Sequence, residues 1–181
     1  NGDRGQNYPN KAEYVPTGIP FINTGHIDPD GSLSSDRMNF LTREKFDSLR
    51  GGKVRKGDLV YCLRGATLGK TAIVDYEEGA IASSLVILRP IAELNNRFAY
   101  LYLTSPIGRS FIWQHDNGSA QPNLAAASLK KYWIPLPPLV EQIRIVTRVN
   151  ELRSLCADLR RQIVNASDVM ENLSKSFVAE V

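Results

Sequence analysis

The sequence has few of the residues on which metal sites and nucleophilic catalysis depend. It contains two cysteines and two histidines, and neither cysteine has a second cysteine or a histidine at metal-ligand spacing. Cys62 falls in an apolar, strand-like run and Cys156 in a helix-like run, so both are expected to be small apolar groups in a reducing compartment. His26 and His115 are far apart, and neither has a serine or cysteine in a recognisable nucleophile setting. These absences argue against metal-dependent and covalent catalysis.

Other signatures of enzymes are absent as well. The acidic residues Asp28, Asp30 and Glu44 do not form a nuclease-type metal pattern, and no glycine-rich dinucleotide or methyl-donor fingerprint occurs. Residues 65–71, GATLGKT, resemble a phosphate-binding P-loop, but three residues separate the glycines where that motif has four, and a strand-like stretch follows. The sequence therefore predicts no enzymatic activity, no metal and no cofactor for this chain.

Long apolar runs are also missing. No run of about 18 consecutive apolar residues occurs, and the first residues, NGDRGQNYPN, have no signal-peptide pattern. We therefore expect a soluble, cytoplasmic protein. Because the first residue is not methionine, we expect the chain to begin inside a longer one. The net charge of +3 and the pI near 8.9 permit a polyanionic partner without requiring one.

Glycine and proline divide the sequence into two parts. They punctuate residues 1–138, where short apolar runs alternate with turns, and they are absent from residues 139–181. The pattern predicts an α+β protein, with a mixed, β-rich globular domain over residues 1–138 followed by a long C-terminal helix over residues 139–181. The boundary is placed at the prolines that end with Pro138.

Within the globular part, composition and turn residues predict individual elements. The predicted strands are residues 19–22, 58–63, 71–75, 80–88 and 132–134. A short helix over residues 42–49 is expected to be capped by Thr42. Two further helical segments, residues 97–103 and 108–115, are expected to be separated at Ser105-Pro106, because proline cannot donate to the preceding turn.

The last segment has a heptad repeat. Its apolar residues are spaced alternately by four and three, which is typical of a coiled coil. The seam consists of Ile145, Val149, Leu152, Cys156, Leu159, Ile163, Ala166, Met170, Leu173 and Phe177.

A seam of this length requires a partner. A helix of about 38 residues would be roughly 57 Å long, more than the globular domain can cover along its whole length. The sequence therefore predicts a dimer or a second half-subunit paired through this helix. Packing of the whole seam on the chain's own domain is the alternative. The flanking positions mix charged and apolar residues, so both parallel and antiparallel pairing remain open.

Two segments offer side chains that suit DNA. On a turn near residues 64–70, Arg64, Thr67 and Lys70 can contact phosphates or base edges. In the polar stretch of residues 117–124, Gln121 and Asn123 carry amides that can bond adenine through two hydrogen bonds. The alternative is that both segments are ordinary turns whose polar groups cap the backbone.

A third segment is basic. Lys53, Arg55 and Lys56 lie close together beside two glycines, and they are candidates for phosphate contacts whose strength falls as salt rises. The alternative is a solvated turn. No aromatic residues are interleaved with these cations, so stacking on single-stranded bases is not favoured.

Several segments together resemble the specificity subunits of type I restriction-modification enzymes. Their order and spacing cover nearly the whole chain, and the combination is specific. They are GIPFIN (18–23) with GHI (25–27), KGDLVYCLRGATLGK (56–70), NGSAQPNL (117–124) and IPLPPLVEQ (134–142).

The resemblance implies that this chain recognises DNA and that other subunits carry out the catalysis. In that family a globular target-recognition domain recognises half of a bipartite site in double-stranded DNA, and a long helix acts as a spacer. Catalysis belongs to partners, namely a modification subunit that methylates adenine with S-adenosylmethionine and a restriction subunit that uses ATP. A full-length specificity subunit has two such domains and two helices, so the chain is expected to be a natural half-subunit or a piece of a longer one.

The resulting hypothesis is that the domain recognises about three to five base pairs in the major groove. A second hypothesis is a coiled-coil scaffold that binds proteins and does not recognise DNA. An enzyme is a third class, for which the sequence shows no convergent set of catalytic groups.

Overall fold

The computed structural model describes residues 1–115 and 124–179. The chain divides into two compact units, Asn1–Gln142 and Ile143–Val181. The boundary proposed from the sequence, after Pro138, lies a few residues before this division. The first unit contains the sheets and the short helices, and the second is helical.

The elements of the described residues follow one another in a mixed order. The strands are β1 (Ile19–Ile22), β2 (Asn39–Leu41), β3 (Lys53–Arg55), β4 (Leu59–Cys62), β5 (Thr71–Ile73), β6 (Glu78–Ile81) and β7 (Leu85–Leu88). The α-helices are α1 (Arg43–Ser48), α2 (Asn96–Thr104), α3 (Pro106–His115) and α4 (Leu139–Ala179). The predicted fold class, a β-containing domain followed by a long helix, is confirmed.

The strands form two sheets, and the chain passes from one to the other three times. One sheet has the order β2-β1-β6-β3, in which β1 and β6 are parallel, and the other has the antiparallel order β5-β4-β7. The chain passes from the first sheet to the second between β3 and β4, at a turn where Gly57 has a φ of 87°. It returns to the first sheet between β5 and β6 and passes to the second sheet again between β6 and β7, through residues 82–84.

Three apolar clusters show how these elements are layered. The largest contains side chains from both sheets, including Ile22, Val60 and Ile81, all almost fully buried. On the other face of the β4 sheet, Leu59, Tyr61 and Leu63 pack with residues of α2. On the other face of the β1 sheet, Phe21 and Ala80 pack with Phe46 and Leu49, in and just after α1. Alternation along each strand explains the pattern, because neighbouring residues point to opposite faces.

The start of α1 and the break between α2 and α3 lie where the sequence predicts them. The Thr42 hydroxyl accepts a hydrogen bond of 3.2 Å from the Lys45 N–H and caps α1 as expected. Helices α2 and α3 are separated at Ser105, directly before Pro106, as predicted.

Other elements differ from the predictions. Residues 80–88 were predicted as one strand, but they contribute to β6 and β7, which lie in different sheets. Residues 132–134 were predicted as a strand and form none; the prolines that follow restrict the backbone to extended conformations without requiring a partner. The short strands β2 and β3 were not predicted. Strand β3 includes Lys53 and Arg55, so this part of the basic segment is an edge strand and not a turn.

The C-terminal helix α4 is continuous from Leu139 to Ala179, as the absence of glycine and proline predicts. Its 41 residues correspond to about 60 Å of helix. No helix among the described residues has both the length and the hydropathy that a membrane span requires.

Candidate nucleic-acid interface

The turn that connects β4 and β5, residues 64–70, is closed by main-chain hydrogen bonds. Its first part is a single 3-10 turn, Gly65–Thr67. The Cys62 N–H donates to the Lys70 carbonyl at 2.8 Å, and the Gly69 N–H donates to the Cys62 carbonyl at 3.0 Å. Gly65 and Gly69 have φ values of 72° and 83°, which favour glycine. The sequence argues against a P-loop here, and the structure agrees, since a strand and not a helix follows the turn.

The three predicted contact residues of this turn differ in their surroundings. Arg64 is exposed, and its guanidinium makes no hydrogen bond or ion pair with the described residues. Thr67 is half-buried, with its hydroxyl 3.3 Å from the Cys62 Sγ. Lys70 is also half-buried, and its Nζ donates to the Ile27 carbonyl at 3.4 Å. Arg64 is therefore available to a ligand, whereas Thr67 and Lys70 also hold the turn in place.

The turn rests on a packed base. A Cβ atom added at Gly69 would lie 2.6 Å from the Cδ1 of Ile112 in α3, so helix and turn are in close contact. Tyr61, in β4, is fully buried beneath them, and burial raises the pKa of its phenol well above the ordinary value. The backbone of this turn is consequently positioned by the core.

The predicted phosphate contacts are partly engaged within the protein. Lys53 Nζ donates to the Asp47 carbonyl at 3.2 Å and lies 4.9 Å from the centre of the Phe46 ring. Lys56 forms an exposed ion pair of 2.6 Å with Glu77. Arg55 is exposed, and within the described part of the chain its guanidinium has no hydrogen-bond partner. Because an exposed ion pair contributes only about 0–1 kcal/mol, Lys56 can exchange Glu77 for a phosphate at little cost.

Beside this basic segment lies a buried carboxylate, Asp58, whose side chain is 2% exposed. The Nε and Nη2 atoms of Arg89 donate to its two oxygens at 2.7 Å each, and the Arg55 N–H donates at 2.9 Å. Burial by itself raises the pKa of Asp58, but these hydrogen bonds and the charge of Arg89 outweigh it and lower the pKa. Asp58 thus joins the end of β3, the start of β4 and the end of β7, where the chain changes sheets.

The amide pair that was predicted to recognise bases, Gln121 and Asn123, lies outside the described residues. The chain is described again from Leu124, which is buried and whose N–H donates to the Leu63 carbonyl at 2.9 Å. The described chain therefore resumes directly beside the residue that precedes Arg64.

Two of the histidine and cysteine side chains that the sequence raised as possible catalytic groups, His26 and Cys62, are buried within the fold. The Nδ1 atom of the buried His26 accepts a hydrogen bond of 3.2 Å from the Asn23 N–H, and burial lowers the pKa of the ring. Among the described residues, no three His, Cys, Asp or Glu side chains are grouped to hold a metal ion. Cys62 is buried and Cys156 is exposed.

Sequence reasoning missed two buried polar side chains of the first unit, Asp58 and Gln142. Both lie in segments that the family resemblance had singled out, but Asp58 was interpreted only as part of a turn before a strand, and Gln142 was given no role. Gln142 is fully buried at the end of the IPLPPLVEQ segment. A polar residue inside an apolar stretch was the available signal, since burial of such a group requires hydrogen-bond partners.

The predicted seam of α4 is exposed over most of its length in the second unit. Leu152 and Leu159 are 46% and 57% exposed, and Ile163 and Met170 are each 68% exposed. Cys156 and Ala166 are exposed as well, while Ile145 and Val149 are half-buried. The side chains of Leu173 and Phe177 lie outside the described residues. An apolar stripe of this kind is unusual on a helix that has no partner.

Comparisons with known proteins agree with the resemblance. Residues 3–166 match the family model described as type I restriction modification DNA specificity domain. The chain is 27% identical over 168 residues to the EcoBI specificity subunit of Escherichia coli and 22% identical over 169 residues to the EcoKI specificity subunit of strain K12. These matches cover 92% and 90% of the chain but only 35% of each relative, so the chain spans about a third of their length.

Solved structures show the same fold. The chain superimposes with a TM-score of 0.65, at 21% identity, on a chain from a structure that describes complex assembly and conformational transition of the type I R-M system, over 95% of this chain and 40% of that one. The S subunit of a type I restriction-modification system from M. genitalium gives a TM-score of 0.50 at 21% identity, over 84% and 35%. The family prediction is confirmed: the chain belongs to the type I restriction-modification DNA specificity domains.

Proposed function

We propose that the chain recognises a specific sequence in double-stranded DNA, as half of the specificity component of a type I restriction-modification complex. The observation that carries the proposal is the family match over residues 3–166, which includes the turn of residues 64–70 and much of α4. The chain is proposed to direct partner modification and restriction subunits to a bipartite site in the cytoplasm. Its relatives are specificity subunits, which agrees with a component that is not itself an enzyme.

The turn of residues 64–70 supports direct contact with bases. It has a backbone fixed by hydrogen bonds and core packing, and it presents the exposed guanidinium of Arg64. A guanidinium can donate two hydrogen bonds to guanine in the major groove, a contact that discriminates against other bases by about 1–3 kcal/mol. Thr67 and Lys70 are proposed to contact DNA from the same turn, and Gln121 and Asn123 to supply further base contacts.

The basic residues support a second contribution to DNA binding, which does not depend on the base sequence. Lys53, Arg55 and Lys56 are proposed to contact phosphates, because cations on a short edge strand and its turn suit a regularly spaced polyanion. Phosphate contacts fix the position of a protein on the duplex and contribute no direct sequence information.

The seam of α4 supports pairing with another helix. Its exposed residues from Leu152 to Met170 are apolar at alternating spacings of four and three, and burial of one such side chain contributes about 1.5–3 kcal/mol. We assign the partner helix to a second copy of this chain or to a second half-subunit, so that two recognition domains are held at a fixed separation.

A selection experiment tests DNA recognition. The chain, together with the modification subunit, is incubated with duplexes that carry randomised sites, and the bound sequences are determined. Arg64→Ala and Gln121→Ala should each relax preference at particular base positions by roughly 1–3 kcal/mol. Lys56→Ala should weaken binding to all sequences alike and reduce the salt dependence. Equal binding of every duplex by the unsubstituted chain would contradict the proposal.

The exposed seam also suits a second candidate function, a coiled-coil scaffold that binds proteins and does not recognise DNA. Electrophoretic mobility at low salt separates the two functions. A DNA-binding chain retards the duplex in a way that disappears as salt is added, whereas a scaffold leaves the mobility of the duplex unchanged.

A further inference from the structure

Gln142 is a fully buried glutamine, with 0% of its surface exposed, in the first turns of α4. Its Oε1 accepts a hydrogen bond of 2.8 Å from the Asn95 N–H. Its Nε2 donates to the Glu93 carbonyl at 2.7 Å and to the Pro137 carbonyl at 2.8 Å. Both amide hydrogens and the amide oxygen are thus engaged with main-chain atoms.

These three bonds connect separate parts of the first unit. Glu93 and Asn95 lie just before α2, and Asn95 also caps that helix by accepting a hydrogen bond from the Phe98 N–H. Pro137 lies just before α4. One side chain therefore fastens the beginning of α4 to the beginning of α2, across 47 residues of sequence.

The chemistry requires an amide at this position. Glutamate has no N–H to offer the two carbonyl oxygens and would place a carboxylate oxygen against them. An apolar side chain of similar length fills the space but leaves one N–H and two carbonyl groups without these partners. Glutamine is the long side chain that has two donors and an acceptor in one planar group.

We infer that Gln142 is a positioning residue that fixes the first turn of α4 and thereby determines which separation between two half-sites the protein accepts. This rests on the proposed function, in which α4 is the spacer. Helix α4 continues from Gln142 to Ala179, about 55 Å, so a small change of angle at its first turn becomes a large displacement at its far end. The identity of the bases recognised depends on other residues and does not change.

A measurement without DNA tests the positioning role. Spin labels are attached at Glu44→Cys in α1 and Ser154→Cys in α4, both exposed positions, in a Cys156→Ser background. Labelled chain is diluted with unlabelled chain so that only distances within one molecule are measured. Gln142→Met should widen the distribution of label distances, and Gln142→Glu should widen it too.

The matched control for this measurement is Gln162→Ala, which removes an exposed glutamine from the same helix and should leave the distribution unchanged. Thermal unfolding of each variant shows whether the first unit remains folded. A distribution that stays as narrow in a folded Gln142→Met variant as in the unsubstituted chain would overturn the inference, whether or not the chain binds DNA.

Selection of bound DNA then tests the consequence for spacing. Duplexes carry two half-sites separated by a randomised number of base pairs, and the modification subunit is present. The Gln142→Met variant should select the same half-site bases as the unsubstituted chain but accept more separations. Selection of one unchanged separation would overturn the inference. If the unsubstituted chain selects no sequence at all, the proposed function fails, and the distance measurement still decides the role of Gln142.

Discussion

At the scale of single residues, Asp58 has the clearest energetic role. It is a buried carboxylate with one partner in a strand of the first sheet, the Arg55 N–H in β3, and another, Arg89, directly after β7 of the second sheet. Replacement with asparagine keeps the shape but removes the charge, so the charge-assisted bonds to Arg89 weaken. We expect Asp58→Asn to lower the free energy of unfolding by about 2 kcal/mol at neutral pH, measured by urea denaturation.

The pH dependence of this effect has a definite sign. The folded-state pKa of Asp58 is lower than the ordinary value of 3.8, so the unfolded chain takes up the proton first as pH falls. The stabilisation is fully present above pH 3.8 and is lost as pH falls through the lowered folded-state pKa. The difference between the unsubstituted chain and Asp58→Asn should therefore be constant near neutrality and shrink below about pH 4. The control, Asp36→Asn, removes an exposed carboxylate; a difference for Asp58→Asn that grows on acidification would contradict the assignment.

The roles of such residues could not have been predicted from the sequence, and the reason is distance along the chain. Asp58 and Gln142 both stood in segments that matched the family resemblance, but their partners Arg89 and Glu93 are 31 and 49 residues away. A single sequence shows which polar residues interrupt apolar runs. It does not show which main-chain atoms they meet, because that depends on how the two sheets and α2 pack. Thr42 was predicted correctly as a cap because its partner, the Lys45 N–H, is local.

At the scale of elements, the two glycines of the turn of residues 64–70 allow a matched test. Both have positive φ, but a Cβ at Gly65 meets nothing within 4 Å, whereas one at Gly69 meets Ile112. Gly65→Ala should cost about 1 kcal/mol of stability, from backbone conformation alone. Gly69→Ala should cost roughly 2–3 kcal/mol, because the buried Ile112 must also move.

The same test includes an internal check. Ile112→Val removes the Cδ1 atom that the new Cβ would approach, so Gly69→Ala combined with Ile112→Val should cost less than the sum of the two single substitutions. Additive losses of stability would show that the turn does not rest on α3 as described. Denaturant unfolding of the four chains supplies the cycle.

The elements that were predicted wrongly share a cause, which is tertiary structure. The run of residues 80–88 ends in four residues that favour strands, Leu85–Leu88, but its first part belongs to β6 and its last part to β7, because the chain changes sheets after Ile81. Residues 132–134 have strand-like composition, and Tyr132 has an extended backbone, but no neighbouring strand pairs with them in the described structure. The composition of a short run indicates whether its backbone is extended. Whether that run joins a sheet, and which strand it pairs with, depends on residues that are distant in sequence. Helix α4 was predicted correctly because its signal, the lack of glycine and proline, is local.

At the scale of the whole molecule, the exposed seam of α4 should make the chain associate with itself. Leu159 and Ile163 are 57% and 68% exposed at neighbouring seam positions. Val164 is also 57% exposed but lies about 100° further around the helix, off the seam. An aspartate introduced at a seam position would be buried when two helices associate, which costs free energy. An aspartate introduced at position 164 would stay in water.

Sedimentation equilibrium over a range of concentrations measures this association. The unsubstituted chain should show a mass that rises above the 20.1 kDa of one chain as concentration increases. The double variant Leu159→Asp, Ile163→Asp should remain at 20.1 kDa and lose part of its helical circular dichroism, since a helix without a partner loses the burial that stabilises it. Val164→Asp should associate like the unsubstituted chain. Self-association through the seam would be refuted by an unsubstituted chain that stays at the mass of one copy at every concentration, or by a Val164→Asp variant that dissociates as fully as the double variant.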